Sequence, residues 1–371
     1  MDRLAGPDSA APGPADYAVL SPGDPLPPLS QRCGDRPSFA FQNMAGRYTL
    51  FCFFATAEDE AARRALGAVH ARRDLFDDQH CSFVGVSITP ADEQLRGLSD
   101  VLPGIRYAWD FDYAMSRVCG AAPCGAQAGV KTIARRMWLL VDPSLHVLRI
   151  FPFGVGPEPV IEAVANLPPP DDFGGVSRPA PILLLPNVFE PELCRELIAD
   201  YEAGEPGESG VLRGGAIVLD ARFKRRRDHT LTDRRLIRAA NARIERRVKP
   251  EIERLFFLKA RYIERHIVGC YAAADGGHFR PHRDNGPGLS AHRRFAVSIN
   301  LNGGFEGGEV VFLEYSTKGC KAPPGWAVVF PCAILHEIAP VTAGVRYAFL
   351  PFVYDEAGEA IRLAGLAEGR I

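Results

Sequence analysis

The chain has 371 residues, 47% of them hydrophobic and 24% charged, with a formal net charge of −2. That length points to two domains, and the near-neutral charge gives no global field that would favour nucleic acid or an anionic membrane surface. No stretch approaches the roughly 18 uncharged apolar residues of a membrane span, and the N-terminal sequence has neither a basic start before an apolar core nor a cleavage motif, so a cytoplasmic protein is expected. Nine cysteines, an odd number without framework spacing and several inside apolar runs, read as reduced, mostly buried thiols.

Residues 1–22, rich in Pro, Ala, Gly and Asp, read as a flexible arm. A short hairpin-like piece is expected over Ser38–Arg47, ahead of YTLFCFFAT (Tyr48–Thr56), whose unbroken apolar run fits a strand covered on both faces. EDEAARRALGAVHARRDLF carries acids in its first turn and sets Ala65, Leu66, Val69 and Leu75 near helical spacing. CSFVGVSIT is a second buried strand, and Arg135–Phe153 reads as two strands joined at Asp142-Pro143-Ser144. Strand, helix, strand and hairpin predict an α/β domain with a partly parallel sheet over residues 23–166. The stretch 167–181, LPPPDDFGGVSRPAP, is linker chemistry.

The second domain, 182–371, opens with a short apolar strand, Ile182–Leu185, and a helix started by Glu190-Pro191-Glu192. Val211–Phe223 reads as strand and loop. The run Lys224-Arg225-Arg226-Arg227-Asp228 reads as a solvated basic loop, with contact to an acidic substrate or the co-substrate entrance as the alternative. Asp233–Lys249 is the longest predicted helix, with Leu236, Ile237, Ala240, Ile244 and Val248 on one face, and Pro250 interrupts it. Its arginines face water and say little about nucleic acid. From Arg261 onward short strands dominate, in RYIERHIVGCY, RFAVSINLN, GEVVFLEY, GWAVVF and RYAFLPFVY, which implies a two-sheet jelly roll.

His282 and Asp284 are two residues apart, so an extended strand would put imidazole and carboxylate on one side. His336, which follows an apolar strand 52 residues after Asp284, would complete a facial set of three ligands of the kind that holds non-heme iron with open positions. Arg346, ten residues further on and just after Gly344, which supplies a turn, starts a strand that otherwise reads as core; its planar fork suits a carboxylate. His278 competes for a ligand role, but Gly276-Gly277 put it on a loop beside the site. His266 and His292 read as structural, and Glu337 as a partner of local cations.

The order Tyr271, His282-x-Asp284, Gly307-Gly308-Glu309, Gly325, His336 and Gly344-x-Arg346 resembles the Fe(II)- and 2-oxoglutarate-dependent dioxygenases of the prolyl 4-hydroxylase type, over roughly Pro179–Phe352. The resemblance implies a double-stranded β-helix with flanking helices and Fe(2+) held by His282, Asp284 and His336. It also implies 2-oxoglutarate and O2 as co-substrates, succinate and CO2 as products, and L-ascorbate (vitamin C) as a reductant. Arg346 would hold the far carboxylate of 2-oxoglutarate; Tyr271 and Asn300 read as inward-facing donors to it, Asn300 standing where the family pattern often has Tyr. The hydroxylated substrate, a protein or a small molecule, is left open.

The first domain resembles the peroxiredoxin branch of the thioredoxin fold, through Gly23-Asp24-Pro25-Leu26-Pro27 and the hairpin Asp142. In that family the attacking cysteine opens the helix after the first long strand, where helix dipole and cations lower its pKa. Here the turn reads Ala55-Thr56-Ala57-Glu58-Asp59-Glu60. Cys52, within the strand, reads as a small buried hydrophobe and Cys119 and Cys124 as exposed loop thiols. The domain is therefore expected to serve docking or self-association. Two competing functions stand beside the dioxygenase: a thiol-dependent peroxidase whose second domain is regulatory, and a non-catalytic binding protein.

Overall fold

The unbroken apolar run at Tyr48 becomes the centre of a seven-stranded sheet. The computed structural model describes residues 16–95, 97–130, 132–176, 178–213, 216–286, 288 and 290–368, and the chain divides into two units, Met1–Val176 and Ser177–Ile371. In the first, β1 (Ser30–Cys33), β2 (Arg36–Ala40), β3 (Tyr48–Ala55), β4 (Cys81–Ser87), β5 (Ile105–Trp109), β6 (Met137–Val141) and β7 (Val147–Pro152) lie in the order β2-β1-β5-β4-β3-β6-β7. β3, β4 and β5 run parallel, and the remaining pairings are antiparallel. Helices α1 (Glu60–Ala71), α2 (Ala114–Val118) and α3 (Glu158–Ala165) accompany the sheet.

Tyr48, Leu50, Cys52 and Phe54 alternate into one core with Ala62, Ala65, Leu66 and Val69 of α1. Asp59 caps that helix by accepting the Ala62 N–H at 3.0 Å. At the β6–β7 turn, Asp142 accepts from the backbone N–H groups of Ser144 and His146. Three details differ from expectation. The hairpin lies earlier, at β1 and β2, because Phe41 and Met44 are apolar at helical spacing and bury themselves in a short helical turn. Residues 16–22 of the presumed arm are partly anchored: Tyr17 donates to Ile133 O and lies under the Arg135 guanidinium, and Asp16 O accepts from Cys124 N. Leu167 and Phe173 of the proline-rich stretch pack against the first core, since aromatic surface gains by burial even between prolines.

The second unit begins with β8 (Leu183–Leu185), α4 (Pro191–Ala203), β9 (Gly207–Glu208), β10 (Val211–Arg213), β11 (Ala216–Val218), β12 (Lys224–Arg225) and β13 (Arg227–Thr230). α5 (Arg234–Arg247), α6 (Lys249–Phe256), β14 (Tyr262–Glu264), β15 (Ile267–Ala272) and β16 (His278–His282) follow. The chain ends with β17 (Phe295–Asn300), β18 (Phe305–Gly307), β19 (Val310–Val311), β20 (Ala327–Pro331), β21 (His336–Ile338), β22 (Val341–Phe349), β23 (Phe352–Tyr354) and α7 (Glu356–Ala367).

The larger antiparallel sheet runs β14-β23-β17-β22-β15-β13-β9, with β20 on β17 and β8 on β20. The smaller runs β12-β16-β21-β19. Strand alternation sorts the faces: Phe295, Val297 and Ile299 of β17 pack with Leu197, Ala240 and Ile244 of α4 and α5. Tyr271, Ala296, Val328 and Phe330 of the larger sheet share a second apolar cluster with Val310 and Ile338 of the smaller. The space between the sheets holds the candidate site. Among the described residues no helix is long and apolar enough to cross a membrane.

Candidate metal centre

Three donor residues converge between the sheets: His282 at the end of β16, Asp284 just beyond it and His336 at the start of β21, all with donor atoms within 4.8 Å of one another. His282 Nε2 is 3.6 Å from Asp284 Oδ1, and His336 Nε2 is 3.4 Å from Asp284 Oδ2. Donor atoms around one ion, each about 2.0–2.2 Å from it, stand about 3–3.5 Å apart, so the set is sized for a metal. His282 pairs directly with His336 across the two strands. Asp284 reaches the site differently from the expected strand alternation: β16 stops at His282, and Asp284 lies in a bend fixed by its N–H donating to Cys332 O at 2.9 Å.

The imidazoles are oriented by their other nitrogens. His282 Nδ1 donates to Arg280 O at 2.8 Å and His336 Nδ1 to Ile334 O at 3.1 Å. A carbonyl can only accept, so each Nδ1 carries a proton and each ring turns its Nε2 towards the site. Phe279 stacks on His282 with ring centroids 3.5 Å apart, and Phe330 lies 4.6 Å from His336. Burial, with His336 next to it, pulls the His282 pKa down to about 3. For Asp284 burial raises the pKa, but His336, His282, Arg293 and Arg265 together hold it below the usual carboxylate range.

A brace ties the ligand segments together. Arg283 donates to Ala333 O and, at 2.5 Å, to Glu314 Oε1, while Glu314 Oε2 accepts the Leu335 N–H at 3.1 Å. One carboxylate thus joins the residue between His282 and Asp284 to the residue before His336.

Arg346, on β22, is 1% exposed. Its Nε donates to Asn300 Oδ1 and its Nη2 to Ser298 Oγ, both at 3.0 Å, and its Cζ lies 5.3 Å from the Tyr271 ring centroid. Nη1 is buried, with no hydrogen-bond partner among the described residues. An unmet buried guanidinium donor costs free energy unless an acceptor arrives, which is the behaviour of an anion seat. Gly344 lies inside β22 at φ +72°, not in a turn; a Cβ there would stand 2.3 Å from Gly304 O, so β18 can approach Arg346 only over a glycine. Asn300 does not point a donor at a ligand: its Nδ2 donates to Ala322 O at 2.7 Å, and it serves to hold Arg346. Tyr271 accepts from Arg226 Nη1 at 3.2 Å, which leaves its own hydroxyl proton to give.

The basic run is no solvated loop. It runs from β12 through Arg226 into β13, with Lys224 and Arg226 buried and Arg225 and Arg227 exposed. Arg226 grips Asp228 through Nε and Nη2 at 2.6 and 2.7 Å. Burial, with Arg226 nearby, pulls the Lys224 pKa down to about 6. The period of two in Lys224, Arg226 and Asp228 was the available signal; Arg265 and Arg293, on connecting segments, had none.

The other three histidines singled out in the sequence are structural. His278 is buried between Gly276 O and Arg222 O, His266 bonds Asn241 Oδ1, and buried His292 bonds Glu264 Oε2. Burial raises the Glu337 pKa, against the pull of Arg280. Of the loop Asn285–Arg293, residues 287 and 289 lie outside the described residues, as do 214–215 of Val211–Phe223. In the first unit Cys52 is wholly buried and burial pushes its thiol well up. Cys119 is also buried, contrary to expectation, its thiol raised to about 12; Ala121 and Ala122 beside it tuck into the fold, and only Cys124 of the pair is exposed.

Residues 266–354, which span the triad and Arg346, match the 2OG-Fe(II) oxygenase superfamily, so the second unit carries an oxygenase segment of that class. Among curated relatives, a PKHD-type hydroxylase of Synechococcus sp. (strain JA-2-3B'a(2-13)) is 29% identical over 122 residues, covering 30% of this chain and 54% of its own length. The chain thus spans about half the length of the relatives it matches. A Pseudomonas putida prolyl-4-hydroxylase structure is 16% identical over 47% of this chain and 92% of that one, with a TM-score of 0.39. Peroxidoxin BcpB from Mycobacterium tuberculosis is 14% identical over 40% and 96%, with a TM-score of 0.35.

Proposed function

We propose that the second unit is a jelly-roll Fe(II)- and 2-oxoglutarate-dependent dioxygenase, prolyl hydroxylase-like in kind, that hydroxylates a substrate and releases succinate and CO2. The observation that carries this is the pairing of a three-residue donor set with a buried, incompletely bonded Arg346 in one inter-sheet space. The residues fit the ion: two imidazole nitrogens and one ionised oxygen form the 2-His-1-carboxylate set suited to ferrous iron.

His282, Asp284 and His336 would hold Fe(II), which supplies the redox chemistry that activates dioxygen. Arg346 would bind the far carboxylate of 2-oxoglutarate through its free Nη1, which fixes the keto acid in one pose. Tyr271 can donate its hydroxyl proton to the same molecule, and Asn300 and Ser298 keep the guanidinium from swinging away. Phe279, Phe305, Phe312 and Phe330 keep the walls apolar, so charges inside are weakly screened.

The organisation supporting this is an arm at 1–22, a peroxiredoxin-like domain at 23–166 without an attacking thiol in its turn, a connection at 167–181 and the dioxygenase at 182–371. The first domain serves docking or self-association; a cytoplasmic setting suits nine free cysteines. Succinate formation from 2-oxoglutarate by anaerobically iron-loaded protein, on admitting oxygen with and without ascorbate, tests the assignment. Loss of that succinate in His282→Ala supports it, whereas equal succinate from both proteins sinks it.

A further inference from the structure

The inter-sheet space is lined by more basic side chains than the keto acid can use. Arg226 is matched by Asp228, and Arg293 donates to Glu264, which also holds His292. Arg346 is reserved for 2-oxoglutarate. Among the described residues two basic side chains have no carboxylate that is not already shared, Arg265 and Lys224.

Arg265 makes no hydrogen bond through its guanidinium among the described residues. Its ion pair, to Asp228 Oδ2, is 3.8 Å long, and that carboxylate already binds both nitrogens of the Arg226 fork. Its backbone sits at φ +63°, a left-handed conformation that an arginine seldom adopts. The strained link between β14 and β15 turns the guanidinium over Phe352, 5.3 Å from the ring centroid, where Arg293 also lies at 4.1 Å. Phe352 belongs to the inter-sheet apolar cluster with Phe330, Cys332 and Ile334, and both arginines act on the Asp284 carboxyl. Burial and the neighbouring Arg226 and Arg293 lower the Arg265 pKa to about 10, as expected of a cation short of counter-charge. Lys224 Nζ meets only neutral oxygens, Ser209 Oγ at 2.6 Å and Gly210 O at 3.2 Å. It lies 4.6 Å from the centroid of Phe279, the ring stacked on His282.

We infer that the molecule to be hydroxylated carries an oxyanion, a carboxylate or a phosphate, which seats on Arg265 beside Phe352, with Lys224 Nζ as a second hydrogen-bond donor from the same inter-sheet space. A guanidinium fork with no hydrogen bond among the described residues can donate paired hydrogen bonds to either group, beside the Phe352 ring. This rests on the dioxygenase assignment, since Arg346 is already assigned to 2-oxoglutarate there.

The test is calorimetric titration of the full chain, loaded with Mn(II) and saturating 2-oxoglutarate so that Arg346 is filled. The probes are N-acetylalanine, methyl phosphate and the uncharged N-acetylalaninamide. At least one anion is expected to bind about tenfold or more tightly than the amide, and whichever does identifies the group. The preference should fall below about twofold in Arg265→Gln and survive in Arg265→Lys; Lys224→Met, expected to weaken it, takes the place of Arg265→Gln if that variant does not fold. Anions that bind no better than the amide, or a preference untouched by the neutral substitution that folds, overturn the inference. Mn(II) and 2-oxoglutarate binding to the unsubstituted chain is measured first. Its absence defeats the dioxygenase assignment, whereas its presence without oxyanion preference defeats only this one.

Discussion

The two units treat buried charge in opposite ways. In the first, Asp92 accepts from Ala57 N, Ser87 Oγ and Thr56 Oγ1, Asp110 from Met115 N, Ser116 N and Gln31, and Asp142 from two turn amides. Each carboxylate accepts two or more hydrogen bonds and holds a loop in place. In the second, among the described residues, buried Arg346 keeps one nitrogen without a hydrogen bond, two imidazole nitrogens stand 3.6 and 3.4 Å from one carboxylate, and the half-buried Arg265 guanidinium has only a long ion pair to the already shared Asp228. Saturated buried charge builds structure; unsaturated buried charge awaits a ligand.

The largest expected break in this contrast is His282→Ala or Asp284→Ala, which should lower iron-dependent succinate formation by about a thousandfold or more while the chain stays folded, checked by coupled assay and circular dichroism. Next is Arg346→Gln. Loss of a charged fork of two hydrogen bonds predicts a KM for 2-oxoglutarate raised about a hundredfold, with metal binding retained; an unchanged KM would move the keto acid elsewhere. Glu314→Ala loosens the brace between ligand segments without touching a ligand. A metal affinity about tenfold to a hundredfold weaker is expected, measured by competition with a chelator.

The smallest effect belongs to the first unit. Asp78 is held between Arg106 nitrogens at 2.5 and 2.6 Å; burial raises its pKa, but Arg106 outweighs that and brings it from 3.8 to about 2. The unfolded chain therefore binds the Asp78 proton at higher pH than the folded one. The stabilisation, about 2 kcal/mol, is complete above pH about 4 and lost as pH falls towards about 2. Urea titrations of Asp78→Asn should show that much less dependence on pH across this window, and none of the difference between pH about 6 and 8.

How much of this was legible in the sequence depends on where each residue sits. Strands with strong periodicity, such as Tyr48–Ala55 and Phe295–Asn300, declared themselves, and so did the capped helix after Asp59. β5 and α3 went unread because short apolar runs between turn residues look alike in one dimension. Spacing put His282, Asp284, His336 and Arg346 on paper in the right order; it could not show that Asp284 acts from a bend, or that Asn300 spends both ends of its amide on Arg346 and Ala322. The cations at 265 and 293 lie on connections, where charge normally means solvent, and only the backbone path turns them inward.

The bonds from each Nδ1 to a carbonyl carry one more implication. Near neutral pH His282 is already an uncharged imidazole and Asp284 already a carboxylate, both before any ion arrives. Neither ring is free to spin, because turning it would strand a proton that has nowhere else to go. The pocket thus meets the ion in its working state, so loading displaces no proton from these two side chains and loses little rotational freedom.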